Sequence, residues 1–153
     1  MDKLCRDKAM LCIFSVFYAV LLIFDHILYV GMVASDSMNP TLLKGNVIIA
    51  LRGKSVDYGD IVVFKEEGRY KVKRLIGKSG DRLCYRERSF YRNGRLLKED
   101  YVVNATVEIN RSFEVPKECM MLLGDDRLKS IDIRKTGRYT PYEALVGKVI
   151  VIF

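Results

Sequence analysis

The chain has 153 residues, room for one domain of ordinary size or for a membrane anchor followed by a domain of roughly 120 residues. Its 26 Lys and Arg outnumber 19 Asp and Glu, giving a net charge of +7, while 50% of its residues are hydrophobic. A chain this basic and this apolar points to a membrane ahead of nucleic acid, and no nucleic-acid partner is expected. The one histidine, His26, lies inside an apolar run. That position argues against a Ser-His-Asp or Cys-His site, because a general base must sit beside its nucleophile in a wet cleft. Cys5, Cys12, Cys84 and Cys119 form no CxxC pair, so no zinc site and no cofactor are expected. Cys84 and Cys119 remain open between a disulfide and two unpaired, buried thiols.

The first element is an apolar helix. Ala9 to Phe24 (AMLCIFSVFYAVLLIF) carries no charge, and apolar character resumes from Ile27 to Ala34 beyond Asp25 and His26. At 1.5 Å per residue the first run reaches only ~24 Å of a ~30 Å hydrocarbon core, so the helix is expected to continue past Asp25 and His26, which then arrive near the far interface. Lys3, Arg6 and Lys8 precede the run, which places residues 1–8 in the cytoplasm, residues 9–34 in the membrane and residues 35–153 outside. A removable secretory signal fits less well, because Met32-Val33-Ala34 is a poor cleavage site. Residues 1–34 contain three basic and three acidic side chains, so the whole +7 belongs to the part after the anchor. Such a domain is drawn to anionic headgroups, which makes membrane lipid a partner.

Short β-rich runs follow, at Asn46–Leu51, Asp60–Phe64, Tyr70–Ile76, Cys119–Leu123 and Lys148–Phe153, punctuated by glycine turns. Asn93-Gly94 between Ser89-Phe90-Tyr91 and Leu96-Leu97 marks a two-residue hairpin. The fold class is mainly β, an N-terminal transmembrane helix followed by a small antiparallel barrel or sandwich.

Four segments carry the chemistry. Ser35-Asp36-Ser37-Met38-Asn39-Pro40-Thr41-Leu42 follows the anchor and alone reads as a polar turn. Gly59-Asp60-Ile61-Val62-Val63-Phe64 reads as a turn and a core strand. In Tyr70-Lys71-Val72-Lys73-Arg74-Leu75-Ile76-Gly77, strand alternation puts Lys71, Lys73 and Leu75 on one face and Val72, Arg74 and Ile76 on the other. The polar stretch from Gly124-Asp125-Asp126-Arg127 through Ser130-Ile131-Asp132-Ile133-Arg134 is dense in groups that could orient a lysine.

Together SDSMNPTL, GDIVVFK, KRLIGKSGD and GDDRLKSIDIRKTGRYTPYEALVGKVIVIF resemble, in order, the motifs of type I signal peptidases, membrane-bound serine endopeptidases that cleave signal peptides from preproteins with a Ser-Lys dyad. The resemblance implies that Ser37 is the nucleophile and Lys73 the general base. It also implies that the Ser35 hydroxyl and the Ser37 N–H form the oxyanion hole, that Ser130 hydrogen-bonds the lysine, and that Asp132 and Arg134 brace the site. Substrate would lie as an added strand between Met32, Val33, Ala34 and Ser35 on one side and Tyr70, Lys71 and Val72 on the other. Signal peptides of preproteins and a secretion translocon are the implied partners. Lys78-Ser79 stands where the family often has Leu-Pro, Asp126 where it often has Asn, and Ile133 where it commonly has Ser. With no large second domain the chain is closer to the compact single-anchor bacterial form, and Lys73 argues against the eukaryotic branch, which has histidine there.

The chemistry requires a neutral lysine. With a reference pKa of ~10.4, roughly one lysine in a thousand is neutral near pH 7.5, and burial can supply the ~4 kcal/mol needed to bring the pKa to ~7.5. Lys73 is therefore expected to be buried with Ser37 and Ser130 as polar neighbours, and Lys71 is not expected to be the base. Two other readings stand beside this one. One is a specialised pilin- or conjugation-type peptidase of the same family; the other is an inactive single-pass protein that binds lipid or a partner.

Overall fold

The computed structural model describes residues 3–53, 55–105 and 110–153. The side chains of Lys3, Arg6 and Asp25, which bear on the expected topology, and that of Cys5 lie outside the described residues.

Helix α1 spans Lys3–Ile27. Its described apolar residues are exposed, from Met10, Leu11 and Phe14 to Leu21, Phe24 and Ile27, so none of these packs into a protein core. Among the described residues no helix is long and apolar enough to cross a membrane. The apolar run expected to be helical to Ala34 changes structure at Leu28. Strand β1 (Leu28–Met32) pairs antiparallel with β2 (Val47–Arg52), Leu28 facing Leu51 and Met32 facing Val47. Its backbone bonds go to a neighbouring strand, so the end of the expected anchor is part of the following domain.

The remaining strands are β3 (Ile61–Glu66), β4 (Arg69–Gly77), β5 (Arg82–Arg86), β6 (Ser89–Arg92), β7 (Arg95–Leu96), β8 (Arg111–Glu114), β9 (Cys119–Leu123), β10 (Thr140–Pro141) and β11 (Leu145–Ile152). They form a seven-stranded sheet in the order β1-β2-β11-β3-β4-β9-β10 and a four-stranded sheet in the order β7-β6-β5-β8. All strand pairs are antiparallel. The large sheet curls without closing into the expected barrel. Its curl is marked by Tyr29 on β1 and Tyr70 on β4, whose ring centroids are 4.9 Å apart although β2, β11 and β3 lie between them in the sheet. The Asn93-Gly94 hairpin joins β6 to β7, with both residues at positive φ, 51° and 81°.

Three apolar clusters fill the domain. Val33, Met38, Leu42, Ile48, Ala50 and Val63 lie inside the curl; Val62, Phe64, Leu75, Leu122 and Leu145 lie behind it. Ile76, Leu83, Tyr85, Phe90, Phe113 and Ile133 join the two sheets. Ile133, a departure from the family pattern, is thus a core residue at the start of the short helix α2 (Ile133–Thr136). Cys84 and Cys119 are free thiols, half-buried rather than fully buried.

Candidate active site

β4 lies between β3 and β9, and its burial extends over both faces from Lys73 to Gly77. Lys73 is only 5% exposed, and its Nζ donates to Ser37 Oγ at 2.6 Å. That distance is within the reach proton transfer requires. Burial pulls the Lys73 pKa down from 10.5 to about 8, the nearby Asp132 carboxylate opposing and Lys71 assisting. The shift corresponds to about 3 kcal/mol of destabilisation of the ammonium form. At pH 7.5 about a quarter of such amines are neutral, against roughly one in a thousand for a free lysine.

Ser37 sits in the turn that follows β1, and three contacts hold that turn against the rest of the site. Its carbonyl accepts from Asp126 N at 3.1 Å, Met38 is buried in the curl, and Thr41 Oγ1 donates to Asp125 Oδ2. Ser35 Oγ lies 3.3 Å from Ser37 Oγ. The loop after β9 closes the site from the other side. There Asp132 caps α2 and holds Arg134 with two bonds of 2.9 Å each, while Arg134 also donates to Arg127 O. Burial works to raise the Asp132 pKa, but Arg134 and then the nearby Ser130 hydroxyl more than offset it, and the carboxyl is held below its usual range.

Ser130 departs from expectation. Its Oγ is fully buried and among the described residues has no hydrogen-bond partner, so it does not bond Lys73. It is close enough to Asp132 to favour the carboxylate without meeting hydrogen-bond geometry. Its position follows from close packing against Gly124, where an added Cβ would collide with Ser130 Oγ, Ser130 Cβ and the Ser37 carbonyl oxygen.

Local pattern gave no role to the other cation of the Lys73-Arg74 pair. Arg74 forms a buried two-point ion pair with Asp125, at 2.9 and 2.6 Å, and also donates to Gly59 O and Thr41 Oγ1. It thereby ties the Gly59-Asp60 turn, the Ser37 segment and the loop after β9 together. A buried arginine cannot shed its proton, so a carboxylate somewhere in the chain was required. That requirement was the available signal for Asp125. Asp126 uses both carboxylate oxygens, accepting from Leu128 N, Lys129 N and Asn104 Nδ2. An Asn there would offer one acceptor oxygen, so Asp126 fits this loop as it stands.

A cleft of about 310 Å³ opens in front of Ser37 and Lys73. Met32, Val33, Ala34 and Ser35 form one wall and Tyr70, Lys71 and Val72 the other, with Met38, Lys129 and Ile131 completing it. β1 is an edge strand, and β9 pairs only with residues of β4 from Arg74 onward. Val33 bonds to Asn46 and Gly45 on the β2 side, and among the described residues the opposite edge of this segment and the β9 side of Tyr70–Val72 have no strand partner.

The chain matches the model of the family described as signal peptidase, peptidase S26, over residues 6–153. The chain belongs to this family. It is a serine peptidase, a hydrolase of peptide bonds. It is 34% identical over 138 residues to signal peptidase I of Bacillus caldolyticus, covering 77% of this chain and 75% of that one. It is 32% identical over 133 residues to probable signal peptidase I-2 of a Synechocystis strain, covering 79% of this chain and 61% of that one. Its fold is similar to the crystal structure of a signal peptidase I from Enterococcus faecalis, with TM-score 0.53 and 29% identity over 63% of this chain and 97% of that one.

Proposed function

We propose that this peptidase removes N-terminal signal peptides from secreted preproteins through an acyl-enzyme, with Ser37 as nucleophile and Lys73 as general base. The observation that supports this most directly is the buried Lys73 amine, with its lowered pKa, 2.6 Å from the Ser37 hydroxyl. Neutral Lys73 takes the Ser37 proton as Oγ attacks the scissile carbonyl. The oxyanion of the tetrahedral intermediate is received by the Ser37 N–H and the Ser35 hydroxyl. The Lys73 ammonium then protonates the departing amine, leaving an ester on Ser37. Returned to its neutral form, Lys73 deprotonates the water that hydrolyses the ester. Asp132 and Arg134 hold the loop behind the base. Substrate binds between Met32–Ala34 and Lys71–Val72, and the apolar lining favours small residues such as Ala at the first and third positions before the cut.

The same reading seats α1 in the membrane, with residues before it cytoplasmic and the β domain on the extracytoplasmic face. Two features support it. The described apolar side chains of the helix are exposed, and β1 and β2 continue that surface. Leu28, Val30 and Met32 lie opposite Leu51, Ile49 and Val47, and Val30, Met32 and Leu51 are exposed. The cleft would then sit at the lipid surface, where a cleavage site emerges from a translocon.

The test is cleavage of a preprotein with Ala at both specificity positions by the full chain in detergent or lipid. Ser37→Ala and Lys73→Ala are expected to be inactive, and wild-type kcat/KM to rise with pH through a limb near 8. Full activity of either variant removes the mechanism. Release of the chain from vesicles by alkaline extraction removes the anchor.

A further inference from the structure

The strand that supplies Lys73 carries a second lysine on the same face. Lys71 and Lys73 are two residues apart on β4, a spacing of roughly 7 Å along an extended strand, and side chains at that spacing project to the same side. Both line the cleft in front of Ser37, and both border the adjoining crevice that reaches Asp132. The Lys71 ammonium is ion-paired with Glu66, the last residue of β3. The register brings Glu66 opposite Arg69 and Phe64 opposite Lys71, so the charge is tethered beside the cleft instead of extending into solvent.

The other charges around Lys73 are likewise paired. Asp132 pairs with Arg134 and Asp125 with Arg74. Across the adjoining crevice Arg138 pairs with Glu67, and Lys129, on the far wall of the cleft, lies within 4.0 Å of both Asp36 and Asp126. Of the two cations that oppose protonation of Lys73, Lys71 acts more strongly than Arg134.

We propose that Lys71 is a positioning residue for the dyad: its ammonium, tethered by Glu66, keeps a positive charge beside Lys73 that favours the neutral, proton-accepting amine. This rests on Lys73 being the base. A like charge disfavours a second charge nearby, and a lysine beside another cation is a known route to a reactive amine. The Lys71 stem forms part of the cleft wall, while its charge sets the pH at which the neighbour becomes competent.

The experiment is the pH profile of kcat/KM for the full chain in detergent, comparing wild type, Lys71→Met, Lys71→Gln and Lys71→Arg. Each limb is read against that variant's own high-pH plateau. Removing the charge moves the acid limb upward by roughly half a pH unit or more, so that about three-fold or more is lost near pH 7 relative to the plateau. Lys71→Arg returns the limb to its wild-type position, which a packing role would not produce. Coincident limbs in wild type and Lys71→Met overturn the proposal. So does a plateau too low to measure in both neutral variants, since it would give Lys71 a role other than its charge. Failure of the dyad reading is seen separately, as wild-type activity in Lys73→Ala.

Discussion

Lys73→Met is expected to abolish cleavage and to stabilise the protein. The wild-type lysine is protonated in the unfolded chain with a pKa near 10.5, but in the folded chain only below about 8. Below pH 8 the folded state bears the full penalty of a buried ammonium, about 3 kcal/mol. Between pH 8 and 10.5 the unfolded chain binds more protons than the folded one, so wild-type stability rises with pH across that window. Methionine fills a similar volume without a charge. It forfeits the bond to Ser37 Oγ, worth about 1 kcal/mol. The variant should therefore exceed wild type by about 2 kcal/mol at pH 7. The charge term falls to about 2 kcal/mol at pH 9 and to under about 0.5 kcal/mol at pH 10.5, where wild type becomes the more stable. Urea unfolding of both proteins in the same detergent at these three pH values checks the magnitude and the crossover. A Lys73→Met protein less stable than wild type at pH 7, or a difference that does not change with pH, would refute the account of Lys73 as a strained, destabilising base.

Two further substitutions separate positioning from stability. Gly124→Ala forces a methyl group against the Ser37 carbonyl and Ser130. A displacement of about 1 Å at the nucleophile costs on the order of 100-fold in kcat, with about 1–3 kcal/mol lost in an accompanying thermal melt; undiminished turnover would mean the Ser37 turn is not held where the geometry places it. Asp125→Asn breaks the buried pair with Arg74, costing about 3–5 kcal/mol in denaturant unfolding. Because Asp125 raises the Lys73 pKa, any activity that survives in this variant should show an acid limb at lower pH, opposite in sign to the shift for Lys71→Met.

The parts of the fold that sequence made legible are those where apolar residues report burial directly. Cys119–Leu123 is read and observed with the same limits, and β2, β3, β4 and β11 lie over their expected runs. β1 was hidden because hydropathy does not distinguish side chains exposed to lipid from side chains in a sheet, so Leu28–Met32 merged with the helix before it. β5 and β8 were hidden because neither forms an apolar run: Arg82 and Arg86 bound Leu83-Cys84-Tyr85, and Arg111, Ser112 and Glu114 leave Phe113 alone. The turn between β5 and β6 uses Glu87 and Arg88 at φ of 52° and 64°, where Gly or Asn would ordinarily announce a hairpin.

At the site, motif order pointed to Ser37 and Lys73, but alternation alone put Lys73 and Arg74 on opposite faces of the strand without saying what either meets. A strand held between β3 and β9 has no solvated face at that point, so each of the two positive charges must be paired or lost. Arginine does not give up its proton, and Arg74 takes the buried Asp125 carboxylate. Lysine can, and among the described residues Lys73 has no carboxylate within salt-bridge distance, only the Ser37 hydroxyl. Inserted between two strands, the pair divides by acidity into a structural cation and a group that loses its proton near neutral pH. Burial and side-chain chemistry thus support the proposal of position 73, and not 74, as the base, on grounds separate from the motif that first suggested it.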